Sequence, residues 1–358
     1  MKIVCPTCHN SFIIPDERLP KKDAVVFPCP VCKGAIGLDL RSGPSEAPPL
    51  RPQEAVKGKE GGADIRTAPE AEGLPSGEVL KKKILRTVKD IPPMPQTTFK
   101  AHKLIKDPRT NFEDLARVLE TDQAIATRVL RMANSPYYGM SGNVSSLKHA
   151  STVLGLKTLE ELIVVAGSTK SLSNRMEGYG LEAGDLWQHS LGVAFGSKII
   201  ATKKNPGMAN DAFSAGLIHD VGKIVLDPYI LERKNAFLTF LSDGKETFLS
   251  AEKKILGFDH GEIAYELCTS WNVPDNLATA IRYHHSPSES AGNQLTYIVH
   301  MADAVAMMSG MGAGIDGLQY YMDEEVVTGL GLKPDDLSAI MAEMVDAVQT
   351  ITKDMPPT

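Results

Sequence analysis

Residues 216–224 read GLIHDVGKI, with a histidine, an aspartate and a lysine set into an otherwise apolar run. Burying an imidazole, a carboxylate and an ammonium this close together is costly unless something binds them. Lys223 follows Asp220 by three residues, which on a helix puts both on one side. Gly222 between them leaves room for another backbone to come close. Either the stretch holds a bound ion, or its polar groups satisfy one another.

Working outward, the pattern on both sides is helical. The segment SGEVLKKKILRTVKDIPPMP (76–95) carries apolar residues at helical spacing and stops at prolines. NFEDLARVLETDQAIATRVLRMANSPYYG (111–139) gives two more helices, the first opened by an Asn cap and the second ending at NSPYYG. SSLKHASTVLGLKTLEELIVVAGSTKSL (145–172) continues the pattern, and KPDDLSAIMAEMVDAVQTITKD (333–354) is a last amphipathic helix. Alternating Val, Ile and Thr are rare, so the expected fold class is mainly α, with little or no sheet after residue 79.

The start of the chain differs. Cys5, Cys8, Cys29 and Cys32 form two CxxC pairs. Four thiolates at such spacing make a closed tetrahedral zinc site, and the short runs SFIIP and AVVFPCP suit a small β-ribbon hung on one zinc. CxxC pairs of this kind fit a reducing cytoplasm better than disulfides do. Residues 41–78 are rich in Pro, Gly, Ala and Glu and lack aromatic residues, the composition of a flexible linker. The expected organisation is a ribbon at 1–40, a linker at 41–78, a helical domain at 79–312 and a helical extension at 313–358. The 358 residues carry a net charge of −6, which argues against general nucleic-acid binding. No apolar run approaches the length of a membrane span, and MKIVCPTC does not resemble a signal peptide. The expected location is cytoplasmic.

Six motifs, IPPMP, VLRMANSPYYG, LWQHSLGVA, AGLIHDVGKIVL, FDHGEIAYELCTSWNVP and IRYHH, follow in that order. Together they resemble the HDOD domain, a helical output domain of bacterial signalling proteins related to the HD phosphohydrolases. The resemblance spans about 79–305, and the first segment is similar to the zinc ribbons that open many bacterial regulatory proteins. In the HD superfamily the ordered set His, His-Asp, Asp binds metal, and two-metal members add a His and a His-His pair. The resemblance therefore implies a first metal held by His189, His219, Asp220 and Asp303. It implies a second held by His260, His284 and His285, with Asp220 bridging. Neutral imidazoles and carboxylates suit one or two divalent ions of iron, manganese or zinc. Two metals would activate water and clamp a phosphoryl group. Asp220 and Lys223 would then carry the catalysis, Lys223 meeting a phosphate oxygen or the leaving group.

Plainer roles exist for each residue. His189 alone could be a hydrogen-bonded core residue, and His284-His285 could cap a helix end. Asp185, one turn before His189, either reaches a metal or is a solvated carboxylate. His300 is a neighbour of Asp303, and Cys268 is a small buried core residue. HHSPSESAGNQ (284–294) lacks the Gly-Tyr-Pro of the HD-GYP phosphodiesterases. Two functions remain open. One is a regulatory protein that signals to a protein partner and keeps a metal site. The other is a metal-dependent phosphohydrolase acting on a nucleotide or another phosphate ester.

Overall fold

The computed structural model describes residues 2–4, 11–13, 24–28, 35–39, 74–88, 104, 114–115, 118–119, 122–139, 144–242, 246–312 and 322–354. The chain falls into two units, Met1–Thr67 and Ala68–Thr358. In the first, strand β1 (Lys2–Val4) pairs antiparallel with β2 (Ser11–Ile13), and β3 (Ala24–Pro28) pairs antiparallel with β4 (Ala35–Asp39). Cys5, Cys8, Cys29 and Cys32, and with them the expected zinc site, lie outside the described residues. So do residues 41–73 of the expected linker.

The second unit is helical. It opens with α1 (Gly77–Val88) and continues with α2 (Gln123–Ala133) and α3 (Leu147–Leu172). Asp122 caps α2 by accepting the N–H groups of Ala124 and Ile125, and Ser146 caps α3 through the N–H of His149. After α2 the chain turns through Pro136–Tyr138, as NSPYYG predicts. Asn134 closes that turn by bonding both the N–H and the carbonyl of Val144.

The core centres on α4 (Asp185–Lys204), which is apolar on nearly every side and so must be surrounded. Trp187, Leu191, Phe195 and Ile200 are fully buried there. It packs against α5 (Ala209–Ile218), α11 (Gln294–Met308) and α13 (Pro334–Asp354). Between α5 and α11 come α6 (Val221–Glu232), α7 (Lys234–Leu241), α8 (Phe248–Ile255), α9 (His260–Ser270) and α10 (Asp275–Arg282). Helix α12 (Glu324–Leu330) follows α11. Among the described residues no helix is long and apolar enough to cross a membrane.

A close backbone contact brings two of the site-bearing helices together. Gly222 on α6 faces the backbone of α9, where an added Cβ would sit 2.0 Å from the carbonyl oxygen of His260. Only glycine permits that approach. Helix α1 is fastened beside it. The N–H of Gly77 donates to Leu256 O at 2.7 Å, and Lys81 pairs with Glu262 and Glu266 on α9, each at 3.4 Å.

Candidate metal centre

The GLIHDVGKI stretch is not one helix. Helix α5 ends at Ile218, His219 and Asp220 occupy the break, and α6 begins at Val221 with Asp220 at its N-cap position. The break turns both side chains inward. His219 is fully buried and Asp220 is 1 % exposed. Lys223, in the first turn of α6, places Nζ 2.8 Å from Asp220 Oδ2.

The other residues singled out in the sequence converge on this pair. His189 comes from the first turns of α4, Asp303 from α11 and His260 from the first position of α9. His284 and His285 lie just beyond α10. His189 Nε2 is 3.1 Å from Asp303 Oδ1, 3.3 Å from His219 Nε2 and 3.6 Å from Asp220 Oδ2. On the other side of Asp220, His260 Nε2 is 3.3 Å and His284 Nε2 is 3.6 Å from Oδ1. His285 Nε2 is 3.0 Å from His260 Nε2. The ligand atoms form three overlapping groups, each with members within 4.8 Å of one another. They are His189, His219 and Asp220; His219, His284 and Asp303; and Asp220, His260, His284 and His285. Asp220 belongs to groups on both sides.

The imidazole orientations are set from behind. His219 Nδ1 lies 2.7 Å from the carbonyl of Gly216, His284 Nδ1 2.6 Å from that of Ile281, and His189 Nδ1 3.2 Å from that of Met311. His260 Nδ1 lies 2.8 Å from Glu252 Oε2. A carbonyl or carboxylate can only accept, so each Nδ1 carries the hydrogen and donates. Each Nε2 then presents its lone pair inward. The inward side holds no matching donor set. Asp220 Oδ1 and Asp303 Oδ2 accept no hydrogen bond of good geometry, and Asp220 Oδ2 has the Lys223 ammonium beside it. Lone pairs and carboxylate oxygens facing one another in a buried site need positive charge between them.

The electrostatics show the same demand for positive charge, which a cation between these groups or a second proton on an imidazole can meet. Burial alone would raise the carboxyls of Asp220 and Asp303, but the surrounding histidines, with Lys223 beside Asp220, hold both well below the usual range. Burial disfavours charge on His260, yet Glu252 and Asp220 outweigh it and push its pKa up to about 10. His219 is raised in the same way, against burial, chiefly by Asp220. His284 and His285 are lowered, by burial and by the adjacent imidazoles. The donor set of imidazole nitrogen and carboxylate oxygen, with oriented tautomers and orphaned carboxylate oxygens, fits divalent cations of the first transition row.

Some residues fall elsewhere. Asp185 is in none of the three groups, and its Oδ2 accepts the N–H of Glu182. His300 donates Nδ1–H to His284 O and accepts the N–H of Asp323 at Nε2, so it braces the backbone of a site residue. His284 does cap the end of α10, but while fully buried. Glu252 was not singled out from the sequence. In SAEKKIL it passes for a surface charge beside Lys253 and Lys254. Its helical phase says otherwise, because Phe248, Ala251, Glu252 and Ile255 form one i, i+3, i+4, i+7 stripe.

Comparison with known proteins gives the family. An HDOD domain model matches residues 91–287. A Geobacter sulfurreducens HDOD domain protein of unknown function is 26 % identical, with a TM-score of 0.62 over 78 % of this chain and 98 % of that one. Two structures below 25 % identity share the fold. One, from Shewanella amazonensis and provisionally assigned as a phosphohydrolase, is 21 % identical with a TM-score of 0.58, over 76 % and 97 % of the two chains. The other, from Marinobacter aquaeolei and provisionally assigned to signal transduction, is 23 % identical with a TM-score of 0.59, over 77 % and 65 %. An uncharacterized Treponema pallidum protein is 24 % identical over 217 residues, which span 58 % of this chain and 40 % of the relative.

Proposed function

Since the chain belongs to the HDOD domain family, we propose that it is a cytoplasmic regulatory protein whose HDOD domain retains an HD-type centre for one or two divalent metals. The observation that carries this reading is the convergence of His189, His219, Asp220, His260, His284, His285 and Asp303, with the imidazoles of His189, His219, His260 and His284 held from behind at Nδ1. His189, His219, Asp220 and Asp303 would hold the first metal. His260, His284 and His285 would hold the second, with Asp220 shared. Six of these residues are no more than 3 % exposed, and His285 is half-buried. So enclosed a centre suits an ion that sets the conformation shown to a signalling partner. The ribbon at 1–40, with Cys5, Cys8, Cys29 and Cys32 around one zinc, would supply a second recognition surface.

One observation favours the second reading, a metal-dependent phosphohydrolase. Lys223 Nζ stands 2.8 Å from Asp220, beside the bridging position. An ammonium there could neutralise a phosphate oxygen or leaving group of a nucleotide or other phosphate ester. The bound metals would supply Lewis-acid activation. Metal analysis of the full chain beside a Cys29→Ser/Cys32→Ser variant, with a panel of phosphomonoester and phosphodiester substrates, tests both. Metal beyond the ribbon's zinc without turnover supports the regulator, and turnover lost in Lys223→Ala supports the hydrolase. No metal beyond that zinc overturns both.

A further inference from the structure

Between α3 and α4 the chain makes a tight loop closed by a bridge between Met176 and Leu181. Its tip residue, Tyr179, is 1 % exposed. The loop is held from α6, the helix of Asp220 and Lys223, because Asp227 Oδ1 accepts the N–H groups of Gly178 and Tyr179 at 2.8 and 3.3 Å. The Tyr179 ring lies against Phe248 on α8, with centroids 5.2 Å apart. Its hydroxyl donates to Glu252 Oε1 at 2.6 Å. The other oxygen of Glu252 accepts two donors from His260, the backbone N–H at 2.9 Å and Nδ1–H at 2.8 Å.

Glu252 is thus fully buried and meets donors on both oxygens, from a loop on one side and from α9 on the other. A carboxylate held so cannot swing away from the imidazole. It also differs from the supports of the other imidazoles. His189, His219 and His284 lean on neutral main-chain carbonyls, whereas His260 leans on a carboxylate. A carboxylate raises the basicity of the opposite nitrogen more than a carbonyl does and makes it a stronger ligand.

We propose that Tyr179 and Glu252 are positioning residues of the His260 group: Tyr179 locks Glu252, and Glu252 fixes the His260 imidazole with Nε2 toward Asp220. The two halves of the centre are therefore unequal, and this arm sets the metal affinity of one half alone. The inference rests on the metal-centre reading given above.

The test is titration of the full-length protein with Mn²⁺ alone, followed by electron paramagnetic resonance, since a thiolate ribbon takes up this hard ion poorly. The equivalent of Mn²⁺ that His285→Ala abolishes identifies the His260 group. Tyr179→Phe keeps the ring and removes only the hydroxyl, and should weaken that equivalent about 10-fold. Glu252→Gln should weaken it roughly 10- to 100-fold. Any equivalent that survives His285→Ala should keep its affinity within about 2-fold in both, because outer-shell effects act on the ligand they support. Unfolding of the metal-free proteins separates positioning from general loosening: Tyr179→Phe strands a buried Glu252 oxygen and should lower the urea midpoint while keeping the slope of the wild-type transition. Unchanged affinity in both variants, or equal weakening of every equivalent, overturns the inference and leaves the metal centre standing. A wild type with no equivalent sensitive to His285→Ala overturns the metal reading of this group and the inference together.

Discussion

Asp220 is the residue on which the centre turns, because its Oδ2 faces His189 and His219 while its Oδ1 faces His260 and His284. Asp220→Ala should remove all metal from the helical unit, while His219→Ala should lose the first metal and retain part of the second. Elemental analysis of the purified variants reads this directly. Lys223→Ala should leave the metal content as in the wild type, since its ammonium faces Asp220 as a cation and offers no lone pair. Cys268 makes a contrasting prediction. It is fully buried, and burial pushes its thiol up to about 12. In native protein at pH 8 it should resist alkylation and react only after denaturation, as peptide mass mapping would show. The sequence made the inward residues legible because histidine and aspartate in an apolar run have few ways to be satisfied. It hid Glu252 and Tyr179, whose neighbours in the chain are charged or small and whose partners are remote. Glu252 lies 8 residues from His260 and 73 from Tyr179.

At the scale of elements, the centre depends on how closely α6 and α9 approach. Gly222→Ala would place a methyl group 2.0 Å from the His260 carbonyl, and backbone cannot yield as a side chain does. The variant should lose about 3 kcal/mol of stability, measured by urea unfolding, and bind the second metal more weakly than the first. The sequence predicted a helical domain and put Asp220 and Lys223 on one side of a helix, but not the break between α5 and α6. An apolar run cannot show by itself where a helix stops, and no Gly or Pro stands at residues 219–220. The break is nonetheless what lets His219 and Asp220 face the same interior.

For the whole molecule, the Pro-, Gly- and Glu-rich composition of residues 41–73 marks the place where a protease should cut first. The helical fragment should begin at or before Leu74. Arg233 donates to the carbonyl of Pro75 at 2.9 Å, and Gly77 is bonded to Leu256, so the chain is held to the helical unit from there on. Mass spectrometry of a limited digest fixes that boundary, and a fragment starting beyond residue 88 would show that α1 is dispensable. Composition alone puts the boundary near 79. It cannot register that residues 75–77 are held by remote partners, because Arg233 and Leu256 give no local sign of it.

The supports of the four imidazoles have a consequence for descent. Three of them are main-chain carbonyls, of Gly216, Ile281 and Met311, which no substitution can delete. The fourth is a side chain, Glu252, and a single codon change removes it. Drift among descendants of this sequence can therefore retune or silence the half built on His260 in one step. The half built on His189 and His219 can be lost only by replacing a ligand or moving a helix.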